Sequence, residues 1–457
     1  MIRRLSSTGA LFVLGAVGSL AAVLAASPLA AQQPVDTAQP DPRSALPTVT
    51  LDDAIQMALR VNPAYVRARG DMNVASAERR QAWGSWLPTL SGSGASNSNY
   101  SSTTRVDGNT GLPVESGRTT TTYSAGFSSS LEIFSGFRRS AEMKSTSAGI
   151  ASADASLVSR EFQVILETKQ AYYNALAADE LVRVSDRRIE RAEESAKISR
   201  DKLAAGSAIR SDTLRAVVEL GNAELQRLTA VTARATAEAA LARLVGLDGS
   251  VRPVRDSSLF EPVIMDTVQL RMQALESAPT IIAADASAEV AAANVTVAKA
   301  QYYPSLTASG SVGWANTPVS GTDTRDWNNS WNVRLGVSWP LFNGFTRETN
   351  VSRQAANRDA ARATALDTRR QVNALLTQYL ANLVAARQRY DIAITSLAAA
   401  TEDLRVQQDR YRLGASTFLE ILVSQVAVDQ ADIDRVQAAL DYLVAKAQIE
   451  ALVGREL

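Results

Sequence analysis

The sequence predicts a mainly α-helical chain that contributes strands to a β-barrel, arranged as two tandem repeats. Three observations carry this. Motifs recur along the chain at separations of 216 and then 208 residues. Each repeat contains a hairpin pattern in which apolar and small polar residues alternate. Each hairpin is followed by an almost uninterrupted helical stretch several times longer than the 8–20 residues of an ordinary helix.

The duplication is read from prolines, glycines and aromatic residues. Asn62-Pro63 matches Ala278-Pro279, and Trp86-Leu87-Pro88-Thr89-Leu90 matches Tyr302-Tyr303-Pro304-Ser305-Leu306, both with an offset of 216 (279 − 63). Beyond the hairpins the offset is 208. Phe134-Ser135-Gly136-Phe137 matches Phe342-Asn343-Gly344-Phe345, Gly206 matches Gly414, and Leu244-Val245-Gly246 matches Leu452-Val453-Gly454. The difference, 216 − 208 = 8, places one length change inside the hairpin.

At the N-terminus, Arg3-Arg4, an apolar run from Leu11 to Ala26 and the small-residue close Leu29-Ala30-Ala31 predict a signal peptide over residues 1–31. Residues 32–49 read as a flexible leader. The first repeat then spans 50–246: an opening helix from Leu51 to about Trp86, capped by Thr50 and interrupted at Pro63; a hairpin over 88–135; a long helix over 140–204; and a return helix over 211–245. A connector with Pro253 and Pro262 covers 247–265. The second repeat, 266–457, has its hairpin over 304–343, its long helix over 346–412 and its return helix over 417–453.

The strand pattern is period two. Leu306, Ala308, Gly310, Val312 and Trp314 alternate with serine, threonine and glycine. So do Val333, Leu335, Val337 and Trp339, with Arg334 on the polar side, and Tyr123, Ala125, Phe127, Leu131 and Ile133. Strands of about ten residues, joined by polar loops over 99–121 and 318–329, fit a membrane-spanning barrel as well as a half-buried soluble hairpin. In the long helices, Leu376, Leu383, Tyr390, Leu397, Leu404 and Tyr411 recur at sevens, and Val182, Ile189, Ala196 and Leu203 match them in the first repeat. A seven-residue stripe predicts left-handed coiled-coil packing. At 1.5 Å per residue each helix reaches on the order of 100 Å.

Composition narrows the function. The chain has no cysteine and no histidine, which removes thiol nucleophiles, imidazole bases and the usual zinc ligands. No cofactor, metal or enzymatic activity is expected, and no phosphate-cradling glycine loop is present. Forty-seven basic residues balance 47 acidic ones, which gives no general affinity for nucleic acid. Arg187-Arg188, flanked by acids, reads as a solvated helix face. No segment beyond the signal carries 18 consecutive apolar residues, so a membrane is expected to be crossed by strands. Four strands cannot close a barrel, and open edges are excluded from lipid, so several chains must assemble. Helices of such length must then project out of the bilayer.

In the order and duplication of these motifs the mature chain resembles the TolC family of outer-membrane efflux proteins. The resemblance implies a homotrimer in the outer-membrane lipid of a Gram-negative bacterium, with a 12-stranded transmembrane β-barrel and a periplasmic α-barrel of 12 helices. It also implies passive exit of substrates from a periplasmic adaptor protein and an inner-membrane transporter, for efflux or type I secretion. A trimeric coiled-coil scaffold or adhesin is the alternative expectation.

Also by resemblance, the turns 203–213 and 411–420 form the periplasmic tip. Asp212, Tyr411 and Glu420 match gate or pore-lining positions there, and Ser416 stands where the family has a basic residue. Arg210 or Arg412 is the expected substitute. Gly206 and Gly414 are expected to end helices and to mark the adaptor-docking turns. Local roles compete: Thr417 and Glu420 form a capping-box pattern, Ser211 is a candidate cap with Asp212 in the first turn, and Tyr411 continues the packing stripe.

Overall fold

The computed structural model describes residues 46–109, 111–255, 271–272, 274, 276–316 and 327–457. The signal peptide, most of the leader and the connector residues 256–265 lie outside the described residues.

The opening helix divides where proline demands it. α1 (Leu51–Val61) starts at Thr50, whose hydroxyl accepts from the Asp53 amide at 3.2 Å. α2 (Pro63–Gly84) has proline at its first position and Asn62 as a cap, accepting from the Ala64 amide at 2.9 Å. After the hairpin strands β2 (Thr89–Val106) and β3 (Pro113–Ser135) come α3 (Arg138–Ala204) and α4 (Arg210–Val245). The second repeat follows with α5 (Pro279–Lys299), β5 (Ser305–Asn316), β6 (Asn328–Ser338), α6 (Thr346–Arg412) and α7 (Phe418–Val453). The two 67-residue helices α3 and α6 are the axis of the molecule. α3 packs against α2 and α5 on one stretch and against α4 and α7 on another, and it joins the two repeats.

Several expectations are corrected. The first hairpin carries strands of 18 and 23 residues, not about ten. Residues 99–106 and 113–121, expected as loop, are paired strand out to Val106 opposite Pro113. Their serine and threonine run carries no apolar alternation, yet β-branched threonine favours extended backbone. Thr48–Val49, placed in the leader, forms β1, which pairs in parallel with β4 (Arg252–Pro253). This two-residue clip is held by the Tyr172 hydroxyl, which donates to the Val254 carbonyl at 2.7 Å. Val49, Val251, Tyr172, Leu241, Leu376 and Ile449 share the main apolar core around it. Among the described residues, one helical segment, Pro279–Tyr302, is long and apolar enough to cross a membrane. Ala286, Ala293 and Ala298 are buried along it, where it packs on α3 and α6.

Arg187 and Arg188 are not a solvated face. Arg187 reaches Asp432 at 2.8 Å, Arg188 reaches Asp429 at 3.1 Å and Glu219 at 2.6 Å, and Arg191 reaches Asp429 at 2.5 Å. Arg435 returns the contact to Glu180 at 3.2 Å. Asp429 and Asp432 are buried, so this ladder pins α7 to α3 across the two repeats. The acids that decide its character lie more than 230 residues away in sequence, out of reach of any local pattern.

Candidate functional site

Two regions carry chemistry: the four-stranded sheet and the helical tips.

The sheet has the order β2-β3-β5-β6, antiparallel throughout, so a seam between β3 and β5 joins the repeats. Alternation sorts its faces. One face carries Phe127, Trp314, Trp331, Val333, Leu335 and Val337, and the last four of β6 are among the most exposed apolar side chains, Trp331 at 79 %. A contiguous exposed apolar face of this kind needs a covering medium. The opposite face is hydroxyl-rich and carries an open depression of about 330 Å³ lined by Thr89, Ser91, Ser128, Ser309, Ser311, Asn332 and Arg334, among others. Among the described residues, β2 and β6 are the open edges of the sheet.

Each strand-to-helix exit repeats one device. Gly136 and Phe137 both take left-handed backbone, at φ 61° and 69°, and Gly344 and Phe345 do the same at 62° and 63°. A non-glycine residue there costs about 1–2 kcal/mol. The ring recovers part of this by packing edge-on against Phe134 or Phe342, each pair at 5.5 Å. The arginine two positions after that ring clamps the strand entry. Arg139 lies 4.4 Å over Trp86 and donates to the Ser85 and Ile133 carbonyls; Arg347 lies 4.2 Å over Tyr302 and donates to Pro340.

At the tips, Gly206 (φ 73°) and Gly414 (φ 78°) end α3 and α6. Ser207 donates to the Lys202 carbonyl at 2.9 Å and Ala415 to the Arg410 carbonyl at 2.8 Å, which closes a Schellman turn in each. No atom crowds either glycine, so backbone conformation alone selects it. The turns expose apolar side chains, Leu413 at 85 % and Ile209 at 65 %.

The structure brings Asp212 and Tyr411 together. Burial first, and then the Asp212 carboxylate, push the Tyr411 phenol above its ordinary value of 10. Its hydroxyl is buried without a hydrogen-bond partner among the described residues. Tyr411 also packs on Phe418 at 5.9 Å, inside a tip cluster with Ala196, Ala216, Leu404 and Ile421. Ser416 and Glu420 form a separate pair. The Ser416 hydroxyl donates to Glu420, and Thr417 caps α7 by accepting from the Glu420 amide at 3.4 Å. Thr417 thus supplies the cap, and the Glu420 carboxylate accepts from the Ser416 and Thr417 hydroxyls. Ser211 caps nothing: α4 begins at Arg210 with Ile209 as its cap residue, and Asp212 sits in the first turn.

The basic group at Tyr411 is neither Arg210 nor Arg412. Arg412 faces Glu194 at 3.7 Å and Asp409 at 3.5 Å. Instead Lys202, in the last turn of α3, stands 4.0 Å over the Tyr411 ring and donates to the Tyr411 carbonyl. It bridges the tips of the two repeats. Sequence reasoning missed it because its partner lies 209 residues away; its place one residue before the stripe position Leu203 was the available signal.

Comparison with known proteins agrees with this architecture. A family model described as Outer membrane efflux protein matches residues 54–247 and 270–455. Protein CyaE of Bordetella pertussis is 27 % identical over 396 residues, covering 84 % of this chain and 80 % of its own. The fold is shared with the CmeC outer membrane channel of Campylobacter jejuni (TM-score 0.73, 19 % identity, 88 % of this chain and 85 % of that one). It is shared also with the open state of the MtrE outer membrane channel of Neisseria gonorrhoeae (TM-score 0.71, 22 % identity, 89 % of each chain).

Proposed function

The chain belongs to the outer membrane efflux protein family, the TolC-like channels, and from that premise we propose that three copies form a duct through which solutes leave the periplasm passively. Members of this family are outer-membrane channel proteins, not enzymes. The observation that carries the proposal is the sheet: one face apolar and exposed, the other hydroxyl-lined around an open depression, and both edges open. In lipid such edges must pair. Three four-stranded sheets close a barrel of 12 strands with the polar face inward, and α3, α4, α6 and α7 continue it into the periplasm. A coiled-coil scaffold leaves the exposed apolar face without a purpose.

The duplication supplies the register of the closing seam. Within the chain, β3 pairs with β5, Ser124 opposite Ala315. Adding 208 to the first and subtracting 216 from the second places Asn332 of β6 opposite Asn99 in β2 of the next copy. Both belong to the polar face, so the seam keeps every side chain on its correct side.

At the tip, Lys202, Tyr411 and Asp212 hold the ends of α3, α4 and α6 together in the closed arrangement. The exposed Ile209 and Leu413 beside Gly206 and Gly414 form the surface for a periplasmic adaptor, through which an inner-membrane transporter delivers cargo. Opening is a realignment of these helix ends. Detergent-extracted protein in planar bilayers tests this. Discrete channel events are expected, with conductance raised severalfold by Lys202→Ala combined with Tyr411→Phe; absence of channel events overturns the duct, and unchanged conductance overturns the tip latch.

A further inference from the structure

The polar face of the sheet is almost free of charge near its centre, with one exception. Two rows of small polar residues cross all four strands: Thr89, Ser130, Ser309 and Arg334 in one, Ser91, Ser128, Ser311 and Asn332 in the next. Hydroxyls are paired along them, Ser91 with Ser128 at 2.7 Å, and Ser311 donating to Asn332 at 3.2 Å. Arg334 stands in this field as an exposed guanidinium lining the 330 Å³ depression, with no ion-pair partner among the described residues.

The other charges on that face do not offset it. Glu132, one level toward the helices, is held by Arg138. Arg118 and Arg105 lie near the far end of the first hairpin, about 33 Å and 46 Å beyond the Ser91–Ser128 level. No aspartate or glutamate lies on the polar face between Glu132 and that end among the described residues. The register of the closing seam sets Arg334 opposite Asn97 of the next copy, again without an acid.

Resting on the duct proposed above, we infer that Arg334 is an anion-attracting site in the lumen, repeated three times at one level, and that it favours passage of solutes bearing carboxylate, sulfonate or phosphate groups. A barrel of 12 strands tilted by about 40° has a backbone radius on the order of 12 Å. Three guanidiniums projecting inward from that wall cover the cross-section within a Debye length of about 30 Å at 10 mM salt, and no longer do so at about 3 Å in 1 M salt. The preference is therefore electrostatic and dependent on ionic strength.

The absence of cysteine makes a local test available. Ser311→Cys is introduced next to Arg334, in the full chain reconstituted in lipid vesicles. Its rates of modification by the anionic sulfonatoethyl and the cationic trimethylammonioethyl methanethiosulfonates are each divided by the rate for a free thiol. The anionic reagent is expected to lead by at least about fivefold in 10 mM salt, the advantage vanishing in 1 M salt and reversing with Arg334→Glu. An equal ratio in the Arg334, Arg334→Gln and Arg334→Glu forms overturns the anion site and leaves the water-filled lumen intact. A cysteine that reacts with neither reagent until the protein is denatured overturns the inward-facing polar surface, and the duct with it.

Discussion

The seam inside the chain and the matching open face at its other end are built from the same duplicated parts, but not to the same strength. At the sheet they are alike: Arg139 over Trp86 is answered by Arg347 over Tyr302, and the left-handed Gly136-Phe137 pair by Gly344-Phe345. Toward the tip the likeness fails. Arg187, Arg188 and Arg191, which grip Asp429 and Asp432, correspond to Thr395, Ser396 and Ala399, and the two aspartates to Gly221 and Glu224. In the proposed trimer the barrel end of each interface between copies is therefore built from the same junction parts as the seam inside a chain. The ladder that locks the lower helices within a chain has no counterpart at the matching positions between chains. Such an arrangement keeps the membrane portion closed to lipid and leaves the helix ends, below the ladder, as the part that realigns.

The ladder offers the largest test of that contrast. Asp429→Ala removes a buried carboxylate shared by two arginines and should cost about 3 kcal/mol. Glu224→Ala at the matching position should cost less than about 0.5 kcal/mol. Thermal unfolding of the detergent-solubilised protein, followed by circular dichroism, compares them; equal losses would erase the asymmetry.

The junctions should behave in the opposite way. Arg139 is buried in the chain and Arg347 only partly so. If a neighbouring copy covers the second junction, Arg139→Ala and Arg347→Ala destabilise the trimer equally, by about 2 kcal/mol each, through lost carbonyl hydrogen bonds and cation–π contact. A much smaller effect at Arg347 means the junction stays uncovered. Gly136→Ala and Gly344→Ala sharpen this further. Both force a side chain into left-handed backbone, at about 1–2 kcal/mol. A Cβ at Gly136 would also meet the Ala300 carbonyl at 2.5 Å, while Gly344 has no crowding atom in its own chain. Trimer yield on non-denaturing electrophoresis should nevertheless fall for both, because the position matching Ala300 is Gly84 of the next copy.

The smallest expected effect is at the tip. The phenol of Tyr411 has a raised pKa, so its contribution to the closed tip is complete below the ordinary tyrosine value of 10 and is lost as pH rises through the higher folded value. Conductance should therefore increase only in strongly alkaline solution, and Tyr411→Phe should abolish that increase.

Much of the fold was legible because it is periodic. The repeat offset, the seven-residue stripe and the strand alternation each recur often enough to be read without neighbours. Of the stripe, Leu376, Leu383, Leu404 and Tyr411 are buried, as coiled-coil packing requires. What escaped was either aperiodic or distant. The serine and threonine extension of the first hairpin has no apolar rhythm, and the β1–β4 clip is two residues long. The Arg188–Asp429 ladder and the Lys202–Tyr411 contact join residues more than 200 positions apart. At the tip, the pairing of Ser416 with Glu420 was within reach of the capping pattern, whereas the approach of Asp212 to Tyr411 depends on how two separate hairpins pack.

The central claim is that the open face of one copy receives the next in the register of the internal seam, and cysteine cross-linking tests it directly. Paired strands hold opposite Cα atoms about 4.5–5.5 Å apart, within disulfide reach. Asn99→Cys combined with Asn332→Cys, oxidised in isolated outer membranes, should give a covalent trimer that reduction returns to monomer. Ser124→Cys with Ala315→Cys should close only within the chain. A monomer in both cases, or efficient trapping with Asn332 paired to Asn97 or Ser101 instead of Asn99, would contradict the account.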